Sequence, residues 1–271
     1  MSMQSLRELI KALLGSLQPE EYGDEFFEDH LAFRLRFSRL EPVRRPSIPD
    51  QDLLRYVDEQ KETLFRNTEQ FVRGYPANDV LLWGERGTGK SSLVKSLLGV
   101  FGQKGLRIVQ VYKGEIPSLA ELYEVLGGRK QKFILFFDDL SFEPGEDSFK
   151  LLKSMLEGDI EERPENVLVY ATSNRRHLIP DVEMNEKFPS ESLQERISLI
   201  DRFGIRLGFF AFDKEKYLDI VRSYALRRGI DMPEEELERE ALRWATERGS
   251  FSGRTANQFI RDLSGRLNLS S

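Results

Sequence analysis

The run GERGTGKS, Gly84 to Ser91, constrains this chain more than any other segment of it. It fits the template G-x-x-x-x-G-K-[ST], a pattern that arises by chance in roughly one chain in a hundred of this length. Val80, Leu81, Leu82 and Trp83 form a short apolar run before it, as a buried strand would. After it, Leu93, Val94, Leu97, Leu98 and Phe101 recur at helical spacing. Strand, glycine loop and helix in that order aim several backbone N–H groups and a helix N-terminus at one anion. Gly84, Gly87 and Gly89 let the backbone curl and approach phosphate without Cβ clashes. Lys90 is expected to place an ammonium on β- and γ-phosphates, and Ser91 to offer a hydroxyl to Mg2+. Glu85, Arg86, Thr88 and Ser92 complete the binding segment. Glu85 and Arg86 sit at its variable positions and receive no individual role.

Three further segments join the loop. In FILFFDDL, Phe133 to Leu140, five apolar residues run into Asp138 at the end of a strand, where a carboxylate can hold a water of the Mg2+ shell. Asp139 follows directly. In VLVYATSNRRH, Val167 to His177, a strand ends in Thr172, Ser173 and Asn174, whose amide is placed to orient water or touch a γ-phosphate. In IDRFGIRLGFF, Ile200 to Phe210, Arg202 precedes a Phe and the last strand, and SFSGRTANQF puts Arg254 at the start of the final helix.

Elements alternate along the middle of the chain. Residues 50–74 read as helix, and Arg107–Tyr112, Lys132–Leu140, Val167–Thr172 and Ile205–Phe210 as strands. Ser118–Leu126 and Phe149–Glu157 read as the helices between them. Such alternation implies a parallel sheet with helices on both faces, and ligands at the carboxyl ends of its strands. After Phe212 the strands stop, and 213–228, 233–248 and 252–267 read as three helices of a small second domain. Residues 1–49 look different. Leu6, Leu9, Ile10, Leu13, Leu14 and Leu17 line one helix face, which either packs onto the chain or docks a protein partner. Phe33, Leu35 and Phe37 alternate with Arg34, Arg36 and Ser38 as a strand would, and Pro42, Pro46 and Pro49 mark a stiff linker. The expected division is an extension at 1–49, a nucleotide-binding core at 50–212 and a helical lid at 213–271.

Composition narrows the partners. The net charge of −6 provides no global basic field for nucleic acid. The local candidates are the Arg34, Arg36, Arg39 stripe, Arg175, Arg176 and His177, and Arg227 and Arg228. The absence of cysteine excludes disulfides and Cys-ligated zinc. No apolar stretch approaches the ~20 residues that span a bilayer, and the start lacks a signal-peptide core. A soluble cytoplasmic protein is the expectation. His30 and His177 are lone and read as surface residues.

Together the motifs resemble an AAA+ ATPase. GERGTGKS matches the Walker A loop and FILFFDDL the Walker B strand. ATSN matches the sensor 1 region, with Asn174 its polar residue. DRFG resembles the arginine-finger box, with Arg202 as the finger, and SGR the sensor 2 start, with Arg254 as its Arg. VLLWGERGTGKSSLVK, ILFFDDLSFE and VYATSNRRHL closely resemble one bacterial AAA+ family catalogued as domain of unknown function 815. The resemblance implies a five-stranded parallel sheet of order 5-1-4-3-2 and a helical lid. It implies MgATP between them, adenine near Tyr56 and Val57, and homo-oligomers in which Arg202 reaches a neighbour's γ-phosphate. Asp139 stands where hydrolysing relatives carry Glu. Being one methylene shorter, it implies slow hydrolysis, or alternatively an ATP-gated binding or loader module with little turnover.

Overall fold

In the computed structural model, residues 22–142, 146–157, 163–174 and 199–270 are described. The Leu face at 6–17, Arg175, Arg176, His177 and the segment 178–198 lie outside them. The helices are α1 (Asp24–Glu28), α2 (Asp58–Val72), α3 (Lys90–Phe101), α4 (Leu119–Leu126), α5 (Asp147–Glu157), α6 (Lys214–Arg227), α7 (Glu234–Arg248) and α8 (Gly253–Ser270). The strands are β1 (Ala32–Arg36), β2 (Arg39–Pro42), β3 (Val80–Gly84), β4 (Leu106–Val111), β5 (Lys132–Phe137), β6 (Val167–Ser173) and β7 (Ile205–Phe209).

All seven strands form one sheet in the order β2-β1-β4-β5-β6-β3-β7. Every pairing is parallel except β1 with β2. This corrects the five-stranded sheet that the resemblance implies. The extra strands come from the N-terminal stretch, where β1 pairs beside β4 with Phe33 opposite Val109. Residues 22–42 are therefore part of the sheet body. Phe27, Phe33 and Leu35 are essentially fully buried in its core.

β5 reads KFILFF without polar alternation because both of its faces are covered. Phe133, Leu135 and Phe137 pack on one side, with Leu119, Leu122 and Leu126 of α4. Ile134 and Phe136 pack on the other, with Leu64 of α2 and Leu93, Leu97 and Phe101 of α3. Of the helix expected over 50–74, the first part is instead a 3-10 turn at Gln51–Leu53 followed by irregular chain to Val57. Asn67 of α2 then clamps the entry to β3, donating to the Asn78 carbonyl at 2.8 Å and accepting from the Asn78 amide at 3.0 Å. The Tyr170 hydroxyl of β6 bonds both Asn67 and Thr68, so the strand that feeds the glycine loop is anchored from behind.

The three C-terminal helices close on their own apolar centre, built from Tyr217, Val221, Ala241, Phe259, Ile260 and Leu263. Asp213 caps α6 by accepting from the Lys216 amide at 2.8 Å, and Gly249 ends α7 in the left-handed region. Among the described residues no helix is long and apolar enough to cross a membrane.

Candidate functional site

The loop from Gly84 to Gly89 leaves β3 and enters α3, whose N-terminal amides open into a cavity of about 640 Å³. Two glycines there are sterically required. A Cβ on Gly84, at φ +122°, would stand 2.0 Å from the Phe209 carbonyl oxygen of β7. One on Gly87, at φ +76°, would stand 2.7 Å from Ser252 Oγ in the lid. The loop is also tied at both ends, through Glu85 N–H to Phe209 O at 2.8 Å and Arg254 N–H to Gly87 O at 3.2 Å. The start of α8 thus rests directly on the glycine loop.

Lys90 is buried, and its Nζ donates to the carbonyls of Gly84 at 2.8 Å and Glu85 at 2.6 Å and to Asn174 Oδ1 at 3.2 Å. Burial pushes its pKa down to about 8, against the opposing pull of Asp139 and Glu85. Ser91 Oγ donates to Asp138 Oδ1 at 2.5 Å, and Thr172 Oγ1 donates to the same oxygen at 2.8 Å. Asp139 follows with φ +59°, a conformation that only Gly, Asn and Asp adopt readily. That turn is held by Asp139 N–H to Thr172 Oγ1 at 2.9 Å, and Asn174 Nδ2 donates to Asp139 Oδ1. The tips of β3, β5 and β6 are therefore joined through side chains as well as through the sheet.

Of the residues singled out in the sequence, Arg86, Gly87, Thr88, Gly89, Lys90, Ser91, Ser92, Asp138, Asp139, Asn174 and Arg254 line one cavity. Gly84 and Glu85 stand just behind, as acceptors for Lys90. Tyr56 and Val57, expected near adenine, lie next to the lining residues Leu54 and Arg55 without lining the cavity themselves. Tyr56, at φ +62°, has its ring 6.1 Å from that of Phe212, which lines the cavity, and its hydroxyl bonds Asp219 of α6 at 2.7 Å, while Val57 is buried against the sheet. Leu53, Leu54 and Arg55 line the cavity together with Phe212, Ile220 and Tyr224. Arg202 is exposed and does not line the cavity; it follows a helical turn just before β7.

Some residues in or beside the cavity were not assigned from the sequence. Lys95 Nζ lies 3.4 Å from Asp138 Oδ2. Its signal was legible, since Lys95 is four residues after Ser91 and shares its helix face. Asn257, three residues after Arg254, had the same kind of signal. Gln110 and the strap at 53–55 had none, because strand pairing and the lid bring them in.

Among the described residues no group of three His, Cys, Asp or Glu could hold a metal by itself. That does not conflict with Mg2+, which binds through one or two protein oxygens and completes its shell with water and phosphate. Ser91 Oγ and Asp138 Oδ1, adjacent hard donors beside the anion-binding amides, fit it. The apolar side chains of Leu53, Leu54, Phe212 and Ile220 and the polar loop, lining one cavity, likewise fit a base and a phosphate chain.

Comparison with known proteins agrees with this architecture. The chain belongs to the family described as protein of unknown function (DUF815), whose model matches residues 28–267. No curated protein sequence matches it. Its fold is similar to a point variant of Thermotoga maritima RuvB, with TM-score 0.55 and 18% identity over 79% of this chain and 63% of that one. The Thermotoga maritima RuvB Holliday junction branch migration motor gives 0.53 and 16%, over 82% and 64%. The Aeropyrum pernix ORC1 protein in complex with DNA gives 0.54 and 16%, over 78% and 58%. The chain spans less than two-thirds of each of these neighbours. At such identities the likeness is one of fold, the AAA+ fold expected from the motifs.

Proposed function

We propose that the protein is a Mg2+-dependent AAA+ ATPase that turns nucleotide state into movement of the lid and of neighbouring copies. The observation that supports this best is the convergence of Lys90, Ser91, Asp138, Asn174 and Arg254 on one cavity between sheet and lid. The loop amides and Lys90 would neutralise phosphate charge. Leu53, Leu54, Phe212 and Ile220 would cover the base. Ser91 and Asp138 would hold Mg2+, which when bound neutralises charge on the phosphates. Asp139 would orient the attacking water with help from Asn174. Arg254, whose own amide is bonded to the glycine loop, would carry the state of the γ-phosphate into α8. Arg202, outside the cavity of its own chain, would complete a neighbour's site, where such a finger is worth roughly 10³–10⁵ in rate. The fold likeness to a branch migration motor supports the mechanical half of this reading.

A second reading is an ATP-gated binding module with little turnover. Asp139 favours it, since its short carboxylate accepts from Asn174 at a positive-φ turn and has less reach toward a water. MgATP turnover measured across a range of protein concentrations, beside a Lys90→Ala control, decides between them. Turnover that rises with concentration and vanishes in the control supports the assembly-dependent ATPase. ATP binding without turnover at any concentration supports the gated module. No ATP binding by the intact chain would overturn both.

A further inference from the structure

Residues 34–45 read RLRFSRLEPVRR, five arginines with one carboxylate, in a chain of net charge −6. All five arginines are exposed. In the lid, several arginines are paired, as Arg222 is with Glu238, Arg243 with Glu247 and Arg266 with Glu240, and the unpaired ones are not gathered on one strand face. Among the described residues, no carboxylate lies within ion-pair reach of Arg34, Arg36, Arg39, Arg44 or Arg45.

Strand pairing orders three of them. Phe33 and Leu35 enter the core, so Arg34 and Arg36 share the opposite face of β1. Arg36 stands directly opposite Arg39 across the hairpin. Like charges so placed work against the hairpin, and the one ring contact among them, Arg36 at 5.0 Å from the Phe37 centroid, is itself exposed. Edge strands often carry charge to block aggregation, but that device belongs on β2, and two of these three arginines lie one strand inside. At the hairpin tip Phe37 and Ser38 both have positive φ, and their amides are held by the two oxygens of Glu115 at 2.8 and 3.0 Å. This fixed turn presents the Phe37 ring 62% exposed. Tyr112, 46% exposed, follows β4 one residue beyond the Leu35–Val111 pair.

We propose that this face of the β1–β2 hairpin binds the sugar–phosphate backbone of a single-stranded nucleic acid, with Phe37 as a platform for a base. Arg34 and Arg36 are two residues apart on an extended strand, about 6.8 Å, which suits successive phosphates of a stretched strand. Guanidinium groups supply paired donors to phosphate, and an exposed ring at the end of the row supplies sequence-tolerant stacking. The face adjoins the nucleotide cavity, because Arg34 pairs in register with Gln110, which lines it. The proposal does not depend on ATP hydrolysis.

The test is fluorescence anisotropy of the full chain with a labelled oligothymidylate of about 20 nucleotides, from about 50 mM salt upward. The expected result is binding that weakens with salt. The triple variant Arg34→Ala, Arg36→Ala, Arg39→Ala should bind at least about tenfold more weakly, with a salt slope shallower by about 2. The three Arg→Lys changes together should retain most of that slope. Phe37→Ala should lose several-fold affinity with the slope unchanged. Thermal melts of each variant matching the parent exclude unfolding. Failure of the parent chain to bind, or parent-like binding by the triple variant, would overturn the proposal. So would loss confined to a polyglutamate peptide or to phosphatidylserine vesicles, each of which would reassign the face to that partner. Loss of MgATP binding in Lys90→Ala with oligonucleotide binding intact would separate this face from the nucleotide site.

Discussion

The sheet body and the lid are each closed by apolar packing, whereas the seam between them is held mostly by polar contacts. In the body, β5 is buried on both sides by phenylalanines and leucines. In the lid, Phe259, Ile260 and Leu263 meet Tyr217 and Val221. Across the seam, Tyr56 and Arg55 both reach Asp219, at 2.7 and 3.0 Å, and Arg227 meets Asp50 at 2.5 Å. Arg254 is tied to Gly87 through the backbone. Apolar packing holds the internal geometry of each unit to close tolerance. Partly exposed ion pairs contribute little, typically ~0–1 kcal/mol each. The difference makes two firm bodies with a join that opens at small cost, and the candidate nucleotide cavity lies in the join.

Cutting into either interior should have the largest effect. Phe133→Ala in the body and Phe259→Ala in the lid should each cost ~3–5 kcal/mol. If the units melt separately, calorimetry will show each variant lowering a different transition. A single transition lowered by both would break the comparison.

Next is pH. Lys90 has its pKa pushed from 10.5 to about 8 by burial. Below about pH 8 the fold bears the full cost of the buried ammonium. That cost is relieved as pH rises from about 8 toward 10.5, because the unfolded chain holds the proton longer, so this group's contribution to stability rises through that window. Nucleotide affinity should run oppositely and fall above about pH 8, where the ammonium is lost. Asp139→Asn removes the leading charge that supports the ammonium and should move that fall to lower pH in a binding titration. An unmoved midpoint would detach Asp139 from Lys90.

Smaller effects should come from Lys95 and the seam. Lys95→Met releases Asp138 from a half-exposed pair worth ~0–1 kcal/mol. It should lower the Mn2+ concentration needed for nucleotide binding by a few-fold, read by the Mn2+ paramagnetic signal. A rise instead would make Lys95 a helper of the metal site. Asp219→Ala should leave both melting transitions within about 1 kcal/mol of the parent and yet speed nucleotide release in stopped flow. A large fall in lid stability would show that the seam is part of the lid's core.

Legibility in the sequence followed distance along the chain. The loop from Gly84 to Ser91 was readable because its chemistry is contiguous, and Asp138 because a strand ending in a carboxylate is a local pattern. Lys95 was readable in principle, by helical spacing from Ser91. The direction of the Tyr56 side chain was not readable, because it depends on a left-handed backbone and on Asp219, 163 residues away. The same holds for β1 and β2. The alternation over 33–38 was visible, but β2 and the strand that β1 pairs with were not.

The sequence alone determined the phosphate loop, the apolar strands that feed it and the helical tail. These depend on residue type, backbone freedom and periodicity within a few neighbours. Only the tertiary structure decided that the N-terminal stretch joins the sheet beside β4, that the strap at 53–55 walls the cavity, and that Arg254 comes to rest on Gly87. Those outcomes turn on hydrogen bonds and packing between residues remote in the chain, which local propensity does not encode.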